Sequence, residues 1–504
     1  MTRQRGSTGT GGLAIGLDVG TTHGKVLAVD TAGTVHHTEQ ATWSLNTPEP
    51  GAAEQDGAEV IAKCLDALER LAAQIKGRPI TGLALSGAMH TLVPVDAHGR
   101  PLGPATTWAD TRSADCADEL SEDPCTSELY RHTGCRPAAI YHPARLRWTA
   151  RQHPRVFRGA KRFVAIKDAL LHYLTGRWVT DRTLAPSTGM LDLATGQWDR
   201  TALCLARIEP GRLPEPIEPA SIVGPLTPEA ARRIHLPEGV PVAAGASDGA
   251  LSNAGAGAVK PGQVVVNVGT SGAIRINLTG PWLDGERRTW CYRGWPSPYL
   301  AGGAINNAGL LIQWLTRVLG LDEVGEGEAY SRLFELASRV EPGSEGVLVL
   351  PYLTGERNPH WAPRASAAIT GLQLAHGPSH LARAGLEAVA FCLADVWQAL
   401  RPAMPRSSRP LRVTGSITRQ RLWLSILADV LGRTLEPVEA SDASAFGAAM
   451  LAHTATGKVR DITALTRGLK IGAPVKPDPT RHRRYRDLHR HFQSEARRVV
   501  FSQP

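Results

Sequence analysis

The chain has 504 residues, 42% hydrophobic and 20% charged, which is enough apolar material for more than one buried core and too much for global disorder. Its net charge of +9 favours anionic partners, whether nucleotides, sugar acids or nucleic acid, while seven cysteines, an odd number without a CxxC pair, best fit a reduced, cytoplasmic setting. No run approaches about 20 strongly apolar residues, so no membrane span is expected, and the polar, Gly-rich residues 1–12 read as a disordered tail.

The first patterned stretch is Gly16 to Asp30, GLDVGTTHGKVLAVD. Apolar runs flank a turn at Gly20-Thr21-Thr22-His23-Gly24-Lys25, the pattern of a β-hairpin. Glycines let backbone N–H groups approach a phosphate, Thr21 and Thr22 add hydroxyl donors, Lys25 adds positive charge, and Asp18 can hold a hydrated magnesium ion. The spacing is not that of the G-x-x-x-x-G-K-[ST] loop, and a purely structural hairpin turn is the plainer alternative.

Asp56 to Lys76 carries Val60, Cys64, Leu68, Leu71 and Ile75 at helical spacing, with Asp56 as cap and Gly77 as stop. Ile80 to Leu85 follows as a buried strand, so the opening is an α/β domain. The strand ends in Ser86-Gly87-Ala88-Met89-His90, where polar groups past a strand's carboxyl end face ligand in open α/β sheets. His90 is placed to hydrogen-bond a substrate hydroxyl, with a structural loop histidine as the equal alternative. Trp108 offers a platform for the apolar face of a sugar; Asp110 and Arg112 bind hydroxyls or each other. Cys116, Cys125 and Cys135 lie near His132 and His142, but at no zinc spacing. Phe163 to Leu174 reads as a helix, and the proline-rich residues 210–228 as a surface connection.

Val240 to Ser247 is a strand of small residues that delivers Asp248 at its end. That position suits a general base taking a proton from a substrate hydroxyl, or a helix N-cap for Ala250 to Ala254. Val264 to Leu278, VVVNVGTSGAIRINL, then repeats the opening hairpin, VGTS standing for VGTT, so the fold reads as an internal duplication. Asn306 or Asn307 is expected to cap a helix through Leu310, Leu311, Trp314, Leu315 and Val318. Ser379 to Leu400 is a long core helix with a Ser cap. Leu411 to Ser416 is a strand into a Gly turn, a helix follows over Arg419 to Leu431, and residues 441–444 cap a small-residue helix, Ala445 to Thr454. The basic run Arg481 to Phe492 reads as a solvated terminal helix, with no motif for nucleic acid.

Taken in order, DVGTTHGK, SGAMH, WADTR, ASDG, VGTSGAIR, GGAINN and LPYLTGERNPHW resemble the motifs of the FGGY family of carbohydrate kinases, over roughly Leu13 to Asp461. Within it the chain looks most like the gluconokinases. The resemblance implies an α/β fold of two actin-like, ribonuclease H type domains with a nucleotide and sugar cleft between them: residues 13–255 on the sugar side, 256–480 on the nucleotide side, and 481–504 a basic helix or tail. It implies phosphoryl transfer from ATP to a primary hydroxyl of a sugar acid, D-gluconate, with xylulose or another ketose or polyol as the alternative substrate. The alternative of another class is a nucleotide-driven binding protein on the same clamp.

By the same resemblance Asp248 is the catalytic base and contacts substrate together with Met89, His90 and Trp108. Asp18 positions magnesium; Thr21, Thr22, Lys25, Gly269 and Thr270 grip phosphates; Gly309, Gln313 and Gly415 line the nucleotide site. A homodimer is also implied, with no membrane or nucleic-acid partner. One departure stands out: the family's successive glycines at the adenosine turn are Thr414-Gly415-Ser416 here, so the Thr414 side chain would either crowd the nucleotide or simply need φ < 0.

Overall fold

The computed structural model describes residues 12–322, 325–404, 409–439 and 442–501. They form two compact units. The first takes in the described residues up to Val259 with Tyr292–Pro298 and Asp442–Gly468; the second comprises the described residues of Lys260–Cys291, Tyr299–Ser441 and Leu469–Pro504. The expected tail, residues 1–12, lies outside the described residues apart from Gly12.

In the first unit the hairpin is formed by β1 (Leu13–Val19) and β2 (His23–Val29), followed by β3 (Val35–Thr42), α1 (Gly57–Gln74) and β4 (Ile80–Gly87). Further along come β5 (Ile222–Pro225), β6 (Pro241–Ala243), β7 (Ala246–Ser247) and α2 (Asp248–Gly255). The sheet runs β5-β6-β4-β1-β2-β3, with β7 paired to β4. β1 lies antiparallel to β2 and parallel to β4, so both of its edges are paired, and α1 and the helix Ala443–Ala455 pack on it, so Leu13, Ala14, Ile15 and Leu17 are fully buried. α1 starts where the Asp56 carboxylate accepts from Ala58 N–H and Glu59 N–H.

The second unit repeats this plan. β8 (Val264–Val268) and β9 (Gly272–Leu278) form its hairpin, β10 (Tyr299–Ile305) pairs with β9, and α3 (Gly309–Val318) and α4 (Pro378–Leu400) follow. β11 (Leu411–Gly415) lies parallel to β8, and β12 (Leu435–Pro437) parallel to β11. The registers correspond: Asp18 stands opposite Ser86 in the first unit, and Asn267 opposite Thr414 in the second. The next helix, α5 (Ala443–Ala455), packs in the first unit, and α6 (Pro479–Ala496) in the second.

Several elements differ from the sequence reading. Within the expected 256–480 stretch, residues Asp442–Gly468 group by contact with the first unit, where α5 packs on β1 and α2. A Cβ on Gly16 would lie 2.1 Å from the Ala445 carbonyl oxygen, one on Gly255 1.9 Å from that of Ala443, and one on Gly447 2.2 Å from that of Leu251. Glycine at all three lets backbones touch. Phe163 and Val164 belong to a short strand, Arg162–Val164, and the helix begins at Ile166. The strand Val240 to Ser247 is broken at Gly245, whose φ of +80° accompanies a close approach to the Leu85 carbonyl. Gly377, not a serine, precedes α4, and the helix expected from Arg419 starts at Arg421.

Candidate active site

The carboxyl ends of three neighbouring strands converge in the first unit. β1 brings Asp18, β4 brings Ser86 opposite it, and β7, paired with Ser86 and Gly87, hands the chain to Asp248. Asp248 is the first residue of α2; the cap is Ser247, whose hydroxyl accepts from Ala250 N–H, so the cap reading of Asp248 does not hold. The Asp248 carboxylate accepts from Gly249 N–H at 2.7 Å and stays half-buried. Across the hairpin, Lys25 stands in register with Asp18, and its ammonium pairs with Asp442. Asp442 precedes α5 without capping it through its side chain, contrary to the cap expected there. Burial pushes the Asp18 carboxyl up to about 7; the Ser86 hydroxyl at 2.5 Å opposes that, the Asp248 charge adds to it, Lys25 opposes it and Asp442 adds to it. Three carboxylates against one ammonium make this an anionic corner suited to a cation.

The turn between β1 and β2 is held from behind. Gln55, fully buried, donates from Nε2 to the carbonyls of Thr21 at 2.7 Å and Gly20 at 3.3 Å. Trp43 Nε1 donates to the same Thr21 carbonyl at 3.1 Å, and Trp108 Nε1 to the Thr21 hydroxyl at 3.2 Å. In a planar trans peptide the N–H points opposite to the C=O. Anchoring the Gly20 and Thr21 carbonyls inward therefore turns the N–H groups of Thr21 and Thr22 the other way, as an anion site requires. Gln55 and Trp43 carried no motif in the sequence; only their distance from the turn in space reveals the part they play.

His90 is buried, with φ at +66°, and its Nδ1 meets the Ser187 carbonyl at 2.7 Å. Its ring stacks edge-on against Tyr141. Beneath it lies Arg145, 2% exposed, whose guanidinium donates to the carbonyls of His90, Thr107 and, at 3.1 Å, Ala139. One buried cation thus ties the Ser86–His90 segment to the Trp108 segment. Burial lowers Arg145 to about 10, which leaves it protonated at neutral pH. Met89 and Trp108 are half-buried beside these segments. Of the two readings of Asp110 and Arg112, the structure shows the ion pair, with Glu54 and Glu49 also on the guanidinium.

In the second unit the turn after β8 brings together Gly269, Thr270, Gly309 and Gly415. Gly309 N–H donates to the Gly269 carbonyl at 2.8 Å, and a Cβ there would lie 2.6 Å from that oxygen. Gly415, at φ +95°, leaves its strand against the Val268 carbonyl. Gln313 is exposed one turn along α3 from Gly309. Ala308 precedes α3; Asn306 and Asn307 are not its caps but donate to the carbonyls of Thr354 and Gly355. Thr414 is 1% exposed and accepts from Asn267 Nδ2 at 2.9 Å, so its side chain is absorbed between strands and does not project past the turn. Asn267 and Thr414 occupy the register positions that Asp18 and Ser86 hold in the first unit. The duplicated pair keeps its hydrogen bond and loses its charge.

A duplicated α/β plan, each half presenting a Gly and Thr hairpin turn, with an ionisable carboxylate at a strand end in one half, defines a phosphotransferase architecture. The chain belongs to the FGGY family of carbohydrate kinases: the family's N-terminal domain matches residues 13–255 and its C-terminal domain residues 264–456. It is 32% identical to the gluconokinase of Bacillus subtilis (strain 168), over 90% of this chain and 89% of that one, and 30% identical to the xylulose kinase of Escherichia coli (strain K12), over 94% and 96%. The crystal structure of gluconate kinase from Lactobacillus acidophilus superposes with a TM-score of 0.89 at 27% identity, covering 97% of this chain and 98% of that one. No helix among the described residues is long and apolar enough to cross a membrane, and none of the seven cysteines forms a disulfide.

Proposed function

We propose that this enzyme transfers the terminal phosphoryl group of ATP to a primary hydroxyl of a sugar acid, converting D-gluconate to 6-phosphogluconate. The reaction type is supported by the placement of Asp248 at the end of β7, beside Asp18 and Lys25. The sugar is supported by the likeness to gluconokinases. In this reading Asp248 accepts the proton of the attacking hydroxyl, its orientation held by Gly249 N–H. The Thr21 and Thr22 amides and the Lys25 ammonium meet developing negative charge on the transferring group, where positioning and electrostatics supply most of the rate. Met89, His90 and Trp108 contact the sugar. Gly269, Thr270, Gly309, Gln313 and Gly415 contact the nucleotide.

Magnesium fits the residues present: Asp18 is half-buried in an excess of carboxylates and held up to about 7, a state that a nearby cation relieves. Asp18 would hold the ion, which supplies charge neutralisation on the phosphates.

A second reading, xylulose as substrate, is favoured by one observation: the xylulose kinase of Lactobacillus acidophilus superposes with the same TM-score of 0.89. ADP release with magnesium-ATP across gluconate, xylulose, ribulose, glycerol and no sugar separates the two. Turnover on gluconate alone is expected; turnover on xylulose alone replaces the substrate and leaves the site assignment; no sugar-stimulated release overturns the proposal.

A further inference from the structure

We propose that Asp442 is a positioning residue for phosphoryl transfer, fixing the Lys25 ammonium where it meets the transferring group. The inference rests on the reading of Lys25 as a phosphate-facing cation.

Asp442 stands 417 residues from Lys25 in sequence, yet the two side chains form an ion pair, 15% and 23% exposed. A lysine on a flexible four-carbon stem is a poorly placed charge unless something holds it. Asp18, directly opposite Lys25 on β1, does not hold it: the Asp18 carboxylate accepts from the Ser86 hydroxyl instead. Asp442 sits at the N-terminal end of α5, where an aspartate ordinarily turns back to accept from the first N–H groups of its own helix. Here it makes no such cap bond, and its carboxylate is directed to Lys25.

The helix that Asp442 leads into is closely packed. The first turns of α5 touch β1 and α2 backbone to backbone at Gly16, Gly255 and Gly447, and the Ser444 hydroxyl donates to the Asp248 carbonyl at 3.4 Å. The helix that carries Asp442 is thereby set against the strand that carries Asp18 and the helix that carries Asp248. One backbone frame fixes the base, the anionic corner and the anchor of the cation. Such a frame pre-organises a charge before the reaction, which is where electrostatic catalysis gains its rate.

The test is a double-mutant cycle on the full chain. Asp442→Asn is expected to lower kcat on the order of 10- to 100-fold with KM for the sugar nearly unchanged. Lys25→Met is expected to lower kcat at least as far, and Asp442→Asn added to Lys25→Met to cost nothing more. Asp442→Glu, which keeps the charge, is expected to recover part of the rate. Full kcat in Asp442→Asn, full kcat in Lys25→Met, or the same fold-loss from Asp442→Asn in both backgrounds overturns the proposal, the last by assigning Asp442 to the fold alone. Where Asp442→Asn unfolds early in a thermal melt, Asp442→Ser, which can cap α5 but carries no charge, takes its place in the cycle under the same criteria. A wild-type chain without sugar-stimulated ADP release would sink the kinase reading itself, an outcome distinct from every one above.

Discussion

Replacing Gly447 by alanine puts two physical effects in opposition. Gly447 lies inside α5, and helix propensity alone makes alanine there stabilising by about 1 kcal/mol. The tertiary contact says the reverse. The new Cβ would lie 2.2 Å from the Leu251 carbonyl oxygen, about 0.8 Å inside the 3.0 Å that real Cβ contacts respect, and the obstacle is backbone that cannot rotate away. Either α5 or α2 must retreat, and overpacking of this kind costs about 1–3 kcal/mol, occasionally more. Because α2 begins with Asp248 and α5 follows Asp442, the retreat also disturbs the corner proposed for catalysis, where a misplacement near 1 Å costs on the order of 100-fold in rate. The expected outcome is a lower unfolding midpoint and a kcat reduced by 10-fold or more, on the order of the positional effect. Urea and thermal unfolding beside steady-state kinetics measure both. A Gly447→Ala enzyme that is more stable and fully active would refute the claim that α5 is docked by backbone contact.

Asp248→Asn should abolish transfer, by a factor on the order of 100 or more, while ATP binding measured by calorimetry stays close to wild type; substantial retained turnover removes Asp248 as the base. Gln55→Ala removes the side-chain donor from the half-buried Gly20 carbonyl and leaves the Thr21 carbonyl to Trp43 alone, a loss of about 1 kcal/mol, and should raise KM for ATP more than KM for the sugar; an unchanged nucleotide KM would show that the turn keeps its orientation without Gln55. Burial raises the Glu356 carboxyl to about 7 against backbone N–H donors from Arg357 and Asn306. A carboxyl raised in the fold contributes stability that is full below about 4.5 and lost as pH rises through 7, about 3 kcal/mol at most. The unfolding midpoint should therefore fall less steeply between pH 5 and 8 in Glu356→Gln than in wild type, and identical slopes would contradict the buried-acid account.

The sequence by itself determined the local elements whose signals are short in range. The β1–β2 and β8–β9 turns are legible because Gly and Thr between apolar alternation leave few other conformations. The Asp56 cap of α1 is legible because its acceptor and donors lie within three residues, and Asp248 because a carboxylate follows a strand of small residues directly. The family followed from these motifs in order. Tertiary structure alone decided what depends on long separations. α5 belongs to the first unit because glycines 16, 255 and 447 admit backbone contact, and no periodicity within α5 announces partners that far away. Asp442 acts on Lys25, Gln55 on Thr21 and Arg145 on Thr107, partners 417, 34 and 38 residues distant, so their chemistry is invisible until folding brings the partner in. Thr414 follows the same rule: whether its side chain projects past the turn or lies between strands depends on Asn267, and the register of β8 against β11 settles it. Local order is written in neighbouring residues, whereas a side chain's partner is chosen by the packing of distant segments, which single-chain patterns do not encode.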